Sequence, residues 1–193
     1  SYCDTEYALF GEKEQCEYTE MSVDDIIQKL NHKWKRVTVT GGEPLLADGI
    51  HLLVSKLLKQ GFEVNIETNG AVDIRKFISK IDTTEGMFFT IDYKLPSSKM
   101  TNKMIWDNFL SLGHDDVIKF VIGSDEDFDE TLRVIERIKG SYNVMPHIYL
   151  GAVYGMYDAT VLIEKMMKSD LLKDAVFQTQ LHKVVWAPDK RGV

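Results

Sequence analysis

The sequence has few cysteines, no excess of positive charge and no long hydrophobic run. Its two cysteines, Cys3 and Cys16, are too few for a disulfide framework and lack the pairing of a structural zinc site. A formal net charge of -7 argues against a surface that neutralises nucleic-acid phosphates. No stretch approaches the roughly 18 apolar residues that span a bilayer, and none resembles a signal peptide. We therefore expect a cytoplasmic protein that binds neither nucleic acid nor membrane.

The chain is long enough for one sizeable hydrophobic core. Hydrophobic residues make up 44% of its 193 residues, and chains of this size usually form one domain. The sequence contains no internal repeat, no low-complexity tract and no linker rich in proline or glycine, and it has only four prolines. These features predict a single domain over residues 1–193.

Strand-like and helical patterns alternate along the chain. Apolar and β-branched runs predict strands at 36–40, 62–67, 87–92, 117–122, 144–150 and 175–178. Helices are predicted after an N-cap at Ser22 with Asp25, at 50–58 before Gly61, and at 127–139. Strand–helix units with short loops imply parallel strands joined by right-handed crossovers, in either an open doubly wound sheet or a barrel. About six strands are too few for a closed eight-stranded barrel. The sequence therefore predicts an α/β fold, a partial (β/α) barrel of mostly parallel strands with outer helices.

Glycines and polar residues follow nearly every predicted strand at its carboxyl end. These segments lie at 41–44, 68–70, 93–98, 123–124 and 151–155. The carboxyl ends of parallel strands meet at one edge of the sheet, where ligands bind. The turn at 41–44 exposes main-chain groups beside the Glu43 carboxylate, and such a site suits a ligand ammonium group. Taken separately, each segment is most simply a turn at the end of a strand.

Three segments together resemble the radical S-adenosylmethionine (SAM) superfamily. Thr40-Gly41-Gly42-Glu43-Pro44-Leu45-Leu46 follows a predicted strand, Cys3-Asp4-Thr5 lies upstream, and Glu67-Thr68-Asn69-Gly70 lies downstream. Within that superfamily, the segments at 92–98, 118–121 and 180–186 are similar to the 7-carboxy-7-deazaguanine synthase family. The resemblance covers nearly the whole chain.

The superfamily pattern CxxxCxxC provides three thiolates for a [4Fe-4S] cluster and leaves one iron open to SAM. Cys3 matches the third cysteine of that pattern. The resemblance implies that the other two precede Ser1, in an N-terminal segment that the sequence given does not include. Cys16 has the wrong spacing to replace them, and we expect it to be a structural or incidental thiol.

The resemblance implies a radical SAM lyase that converts 6-carboxytetrahydropterin to 7-carboxy-7-deazaguanine with loss of ammonia, on the route to queuosine and related deazapurines. The implied cofactors are the [4Fe-4S] cluster, SAM and Mg²⁺, with an electron donor such as flavodoxin. Members of the family commonly form homodimers. The cofactor carries the radical chemistry, so no catalytic side chain is assigned.

The family motifs also imply which residues bind each ligand. Those implied to bind SAM are Gly41, Gly42, Glu43, Pro44, Glu67, Thr68, Asn69, Lys94 and Ser97. Those implied to bind the substrate are Thr40, Gly42 and His182, of which His182 corresponds to a residue that holds the substrate carboxylate. Cys3 would bind the cluster and Thr5 would bind Mg²⁺, while the role of Lys119 stays open.

Two alternatives remain open at this point. The first is a radical SAM activase that generates a glycyl radical on a partner protein, and the region around His182 distinguishes it. The second is a SAM-binding module without redox chemistry, which the solitary Cys3 suggests. The segment His114-Asp115-Asp116 and the acidic run at 125–130 are explained by a solvated loop and a helix N-terminus, so they receive no site role.

Overall fold

The structure, a computed structural model, describes residues 19–30, 32–187 and 190 of the chain. The strands are β1 Arg36–Val39, β2 Glu63–Thr68, β3 Met87–Tyr93, β4 Val117–Ile122, β5 His147–Ala152 and β6 Val176–Phe177. The α-helices are α1 Val23–Lys29, α2 Ile50–Lys59, α3 Ile74–Ile78, α4 Trp106–Leu110, α5 Asp125–Lys139, α6 Ala159–Met167 and α7 Leu181–Val185. Short 3₁₀ helices occur at Pro44–Leu46, Pro96–Ser98, Thr101–Lys103 and Asp170–Leu172. None of the helices described is both long enough and apolar enough to cross a membrane.

The six strands form one parallel sheet whose spatial order follows the chain, from β1 to β6. Because every right-handed crossover moves in the same direction, the crossover helices lie on one face of the sheet. In keeping with this, α2 contacts β2, α5 contacts β4 and α6 contacts β5. A doubly wound sheet would instead reverse its strand order and carry helices on both faces. The sheet is not closed, and the predicted partial (β/α) barrel is confirmed.

Alternate residues of the strands form two faces of different character. The face under the helices is apolar, and its fully buried residues include Val64, Ile66, Ile91, Ile118, Phe120 and Leu150. The opposite face, here called the open face, is mostly polar in its central part and carries Thr38, Asn65, Thr90, Asp92, Lys119 and Tyr149. Parallel sheets are usually apolar on both faces because both are covered. A polar second face therefore indicates a ligand site and not a second core.

Most element boundaries agree with the sequence predictions. The predicted capping box of α1 is present, since the Ser22 hydroxyl accepts the Asp25 N–H and the Asp25 carboxylate accepts the Ser22 N–H. Helix α2 ends as expected before Gly61, which has a φ of +81°. The predicted strands agree with β1, β2, β3, β4 and β6 to within one residue at each end.

Three boundaries differ from the predictions by two residues or more. Strand β5 ends at Ala152, two residues later than predicted, and the other two differences have local reasons. Strand β5 begins at His147 and not at 144, because Pro146 has no N–H to donate to a sheet, and Val144 is 60% exposed. Helix α5 begins at Asp125, two residues earlier than predicted. Its N-cap is Ser124, whose hydroxyl accepts the Asp127 N–H.

Candidate functional site

Glu43 connects the loop after β1 to the loop after β2. Its Oε1 accepts a hydrogen bond from the Thr68 hydroxyl at 2.8 Å, and its Oε2 accepts the main-chain N–H of Asn69 at 2.8 Å. Oε1 also accepts the Leu45 N–H at 3.2 Å, which caps the 3₁₀ helix that follows. Hydrogen bonds to a carboxylate are stronger than those between neutral groups. The two loops are therefore fixed relative to one another.

The two glycines before Glu43 leave their main-chain groups accessible. Within the part of the chain that the structure describes, the N–H and C=O groups of Gly41 and Gly42 form no hydrogen bond, and both residues are exposed. Gly41 has a φ of +153°, and a Cβ at this position would meet no atom within 4 Å. The turn therefore has unobstructed carbonyl oxygens, which is the feature on which the predicted binding of an ammonium group depends.

Gly70 allows the loop after β2 to pass close to β3. Its φ is +76°, and a Cβ there would lie 2.9 Å from the main-chain oxygen of Asp92. The buried side chain of Asn108, on α4, holds the same loop. Its amide nitrogen donates to the carbonyls of Gly70 at 3.0 Å and Val72 at 2.7 Å, and its oxygen accepts the Ile74 N–H at 3.1 Å. No sequence pattern marks Asn108 as buried, because it is an isolated asparagine.

Asp127 joins the loop after β3 to the loop after β4. Its Oδ1 accepts the Ser97 N–H at 2.9 Å, and its Oδ2 accepts the Gly123 N–H at 2.8 Å. The Ser97 hydroxyl also lies 3.2 Å from the Ser124 hydroxyl. Together with Glu43, Asp127 therefore fixes the loops that follow the first four strands at the carboxyl edge of the sheet.

The acidic run at 125–130 includes the first turn of α5, as predicted, but Asp127 is not solvated. Its side chain is 0% exposed, whereas Asp125 and Glu126 are exposed at the N-terminus of α5 as expected. The spacing of Ser124 and Asp127 matches a capping box and could have marked this residue in the sequence. The capping pattern alone could not show that the carboxylate also reaches two loops.

Asp116 lies at the opposite end of the sheet and also differs from its prediction, which was a residue of a solvated loop. Its carboxylate accepts the Phe89 N–H at 2.7 Å and the Gly113 N–H at 2.6 Å, so it is not a solvated loop residue. Burial raises the pKa of this carboxyl above its usual range, and the two N–H groups offset part of that effect. The contact ties β3 to the start of β4, which is a structural role.

Three charged side chains lie side by side on the open face of the sheet. The Lys94 ammonium donates to Asp92 Oδ2 at 2.8 Å, and the Lys119 ammonium lies 3.9 Å from Asp92 Oδ1. Asp92 and Lys119 are partners in the register of β3 and β4. The Lys94 N–H also donates to the thioether sulfur of Met104 at 3.3 Å, which helps to fix the loop after β3.

The segments that follow β5 and β6 form the other side of the candidate site. A cavity of about 320 Å³ is lined there by residues that include Tyr154, Gln178 and Val184. His182 lies on α7, the helix that contributes Val184, and it is partly buried. The close approach of these elements requires Gly151, since a Cβ there would lie 2.8 Å from the Gln178 carbonyl oxygen.

The two metal ligands expected from the sequence, Cys3 and Thr5, lie outside the residues that the structure describes, and so does Cys16. Within residues 19–30, 32–187 and 190, no group of three or more His, Cys, Asp or Glu side chains could hold a metal ion. The fit of the cluster and of Mg²⁺ therefore depends on the N-terminal residues.

Sequence comparison defines the class of this protein. The family model for the radical SAM superfamily matches residues 1–158. With its open sheet and its fixed Gly-Gly-Glu-Pro turn, the chain belongs to the radical SAM superfamily, which implies a [4Fe-4S] cluster and SAM as cofactors.

Related proteins narrow this class. The chain is 40% identical over its whole length to the 7-carboxy-7-deazaguanine synthase of Clostridium acetobutylicum, of which it covers 84%. It is 33% identical to the synthase of the same name from Methanospirillum hungatei, with 97% of this chain and 72% of that protein covered. It is 32% identical to that from Chlorobaculum tepidum, with 100% and 82% covered. Within the superfamily, the chain therefore belongs to the 7-carboxy-7-deazaguanine synthase family.

Proposed function

We propose that this protein converts 6-carboxytetrahydropterin to 7-carboxy-7-deazaguanine with loss of ammonia, as a step in queuosine and deazapurine biosynthesis. The 40% identity to a synthase over the whole chain carries this proposal. The relatives described above favour the lyase over the glycyl-radical activase and over a SAM-binding module without redox chemistry. The proposal also includes a single domain over residues 1–193, a cytoplasmic location, a homodimer and a reductant such as flavodoxin.

SAM is proposed to bind at the carboxyl edge of the sheet. Its binding residues would be Gly41, Gly42, Glu43, Pro44, Glu67, Thr68, Asn69, Lys94 and Ser97. The accessible carbonyls of the two glycines would accept hydrogen bonds from the ammonium group of SAM. The Glu43 carboxylate already accepts three hydrogen bonds, so its main contribution would be to position the turn.

Cys3 is proposed as one ligand of the [4Fe-4S] cluster, since clusters of this kind are held by thiolates. When bound, the cluster and SAM supply the one-electron chemistry that begins with removal of a hydrogen atom from the substrate. The chain itself would orient the substrate and exclude water from the open face. Thr5 is proposed as a ligand of Mg²⁺, which prefers hard oxygen donors.

The substrate is proposed to contact the end of β1 and the helix α7. Thr40 and Gly42 would approach it from the first loop, and His182 would donate a hydrogen bond to its carboxylate. The polar side chains of the open face lie between these two positions along the sheet. This arrangement supports a substrate with several hydrogen-bonding groups, such as a pterin.

The test is anaerobic reconstitution of the full-length protein, followed by incubation with SAM, Mg²⁺, a reductant and 6-carboxytetrahydropterin. Mass spectrometry is expected to detect 7-carboxy-7-deazaguanine, with one ammonia released for each product molecule. Reactions without the pterin and reactions without the reductant serve as controls. Failure to form the product despite an intact cluster and SAM cleavage would reject the substrate assignment.

The magnesium proposal needs its own comparison. Thr5→Val removes the hydroxyl and keeps the shape of the side chain. Added Mg²⁺ is expected to raise the rate of product formation by the wild-type enzyme, and chelation should remove this increase. The increase should be smaller for the variant. Equal responses to Mg²⁺ in the two proteins would exclude Thr5 as a ligand.

A further inference from the structure

We propose that Lys119 is an additional ligand-binding residue, whose ammonium group binds a ligand carboxylate at the open face of the sheet. This inference rests on the proposed function, because that reaction brings two carboxylic acids to the site. One is the methionine carboxylate of SAM, and the other is the carboxylate of the pterin substrate. The chemistry of recognition is the same for both.

The position of Lys119 is unusual for a lysine. It lies in β4, which is paired on both sides, with Asp92 of β3 and Tyr149 of β5 as its register partners. The three side chains therefore form one row across the open face. Only 27% of the Lys119 side chain is exposed, whereas lysine side chains are mostly exposed. Partial burial of an ammonium group is costly unless another group compensates its charge.

Asp92 compensates this charge only in part. Its Oδ2 pairs closely with Lys94 at 2.8 Å, whereas its Oδ1 lies 3.9 Å from the Lys119 ammonium, which is too long for a hydrogen bond. Asp92 is the only carboxylate within ion-pair range of Lys119 among the described residues. Together with Lys94, the group around Asp92 thus holds two ammonium groups and one carboxylate, and within the described part of the chain the Lys119 ammonium makes no hydrogen bond.

A ligand carboxylate would complete this arrangement. It would give Lys119 a hydrogen-bonded partner and bring the local charge to zero, with two ammonium groups and two carboxylates. Hydrogen bonds between an ammonium group and a carboxylate are among the stronger ones in proteins, most of all in a partly desolvated site. The Tyr149 ring beside Lys119 would border the ligand on its other side.

The test compares ligands that differ only in the carboxylate. Dissociation constants are measured anaerobically by calorimetry on the reconstituted full-length protein without reductant. One pair of ligands is 6-carboxytetrahydropterin and tetrahydropterin, measured in the presence of SAM. The other pair is SAM and decarboxylated SAM. For each pair, the ratio of the two constants gives the preference for the acid.

The variants are Lys119→Gln, Lys119→Arg and, as a matched control, Lys168→Gln at an exposed position after α6. Lys119→Gln is expected to reduce the acid preference about 10- to 100-fold for one of the two pairs, which is the usual effect of losing a hydrogen bond to a charged group. Lys119→Arg should retain most of the preference because it keeps the charge. Lys168→Gln should leave both ratios unchanged.

The affected pair identifies the source of the carboxylate. A loss for the pterin pair assigns Lys119 to the substrate, and a loss for the SAM pair assigns it to the cofactor. Unchanged ratios for both pairs would overturn the inference and leave Lys119 as a structural partner of Asp92. If Lys119→Gln does not fold, Lys119→Met, which keeps the length of the side chain without its charge, takes its place, and unchanged ratios for both pairs in that variant would overturn the inference equally.

If the proposed function is wrong, the binding measurements on the wild-type protein give a different result. In that case the wild-type protein would bind or cleave SAM but show no affinity for the pterin acid. The SAM pair would then decide the role of Lys119 by itself.

Discussion

The carboxylate of Glu43 accepts a 2.8 Å hydrogen bond from the main-chain N–H of Asn69, which lies 26 residues further along the chain. The Thr68 hydroxyl donates to the other oxygen of the same carboxylate. Strands β1 and β2 are adjacent and parallel, so the two loops leave the sheet at the same edge. These bonds make two turns into one unit, and the accessible Gly41–Gly42 backbone is held within it.

Glu43→Gln is expected to weaken the binding of SAM about tenfold and to lower the free energy of unfolding by about 1–3 kcal/mol. In the glutamine side chain, an NH₂ group, which is a donor, replaces one of the two oxygen atoms that accept hydrogen bonds. An N–H or hydroxyl group that donated to that oxygen therefore loses its partner. Calorimetry and urea denaturation measure the two effects. Glu136→Gln, on the exposed side of α5, is the matched control. SAM affinity equal to that of the wild type would contradict the positioning role.

Asp127→Asn is expected to lower the free energy of unfolding by about 2 kcal/mol, since a fully buried side chain loses one of two hydrogen bonds to main-chain N–H groups. Hydrogen exchange should also become faster in the loops that carry Ser97 and Gly123. Asp129→Asn, on the same helix but exposed, should change neither quantity. If both variants were equally stable, Asp127 would not be joining the two loops.

Substitution of two glycines with similar backbone angles distinguishes the cost of steric overlap from the cost of backbone strain. Gly70 and Gly155 have φ of +76° and +73°, but of these two only Gly70 lies where a Cβ would meet other atoms, nearest of them the main-chain oxygen of Asp92. Gly155→Ala should cost about 1–2 kcal/mol of unfolding free energy, the usual penalty for a left-handed residue. Gly70→Ala should cost clearly more, because the loop after β2 must also move away from Asp92. Thermal denaturation compares the two, and equal losses would show that the contact has no effect.

The raised pKa of Asp116 predicts a specific dependence of stability on pH. A carboxyl group whose pKa is raised by folding contributes stability below its unfolded value of 3.8, and that contribution is lost as pH rises through the folded value. The Asp116→Asn variant has no ionisable group at this position, so its stability does not include this loss as pH rises. Above pH 3.8, the unfolding free energy of the variant should therefore rise more, or fall less, than that of the wild type.

Urea denaturation across this pH range, with Asp129→Asn as control, measures the difference. The variant should also be less stable overall, because asparagine offers one acceptor oxygen to two N–H groups. Parallel curves for the wild type and for Asp116→Asn would show that burial does not perturb this carboxyl.

The elements of the fold could be read from local patterns. Strand β4 and the capping box at Ser22 were predicted as observed, because periodicity and capping depend on residues close in sequence. The amino ends of β5 and α5 were misplaced by two or three residues. At these positions a proline and an N-cap serine set the boundary, whereas the prediction followed hydrophobicity.

The sequence by itself determined the alternation of strands and helices, the position of the Gly-Gly-Glu-Pro turn and the family of the chain, since all of these are written in contiguous segments. Only the tertiary structure decided how the loops are joined. It showed that Glu43 holds Asn69, that Asp127 is buried between two loops, and that Asp92 pairs closely with Lys94 but not with Lys119. The reason is physical: burial and hydrogen bonding depend on which distant residues the strand order brings together, and no local pattern records that.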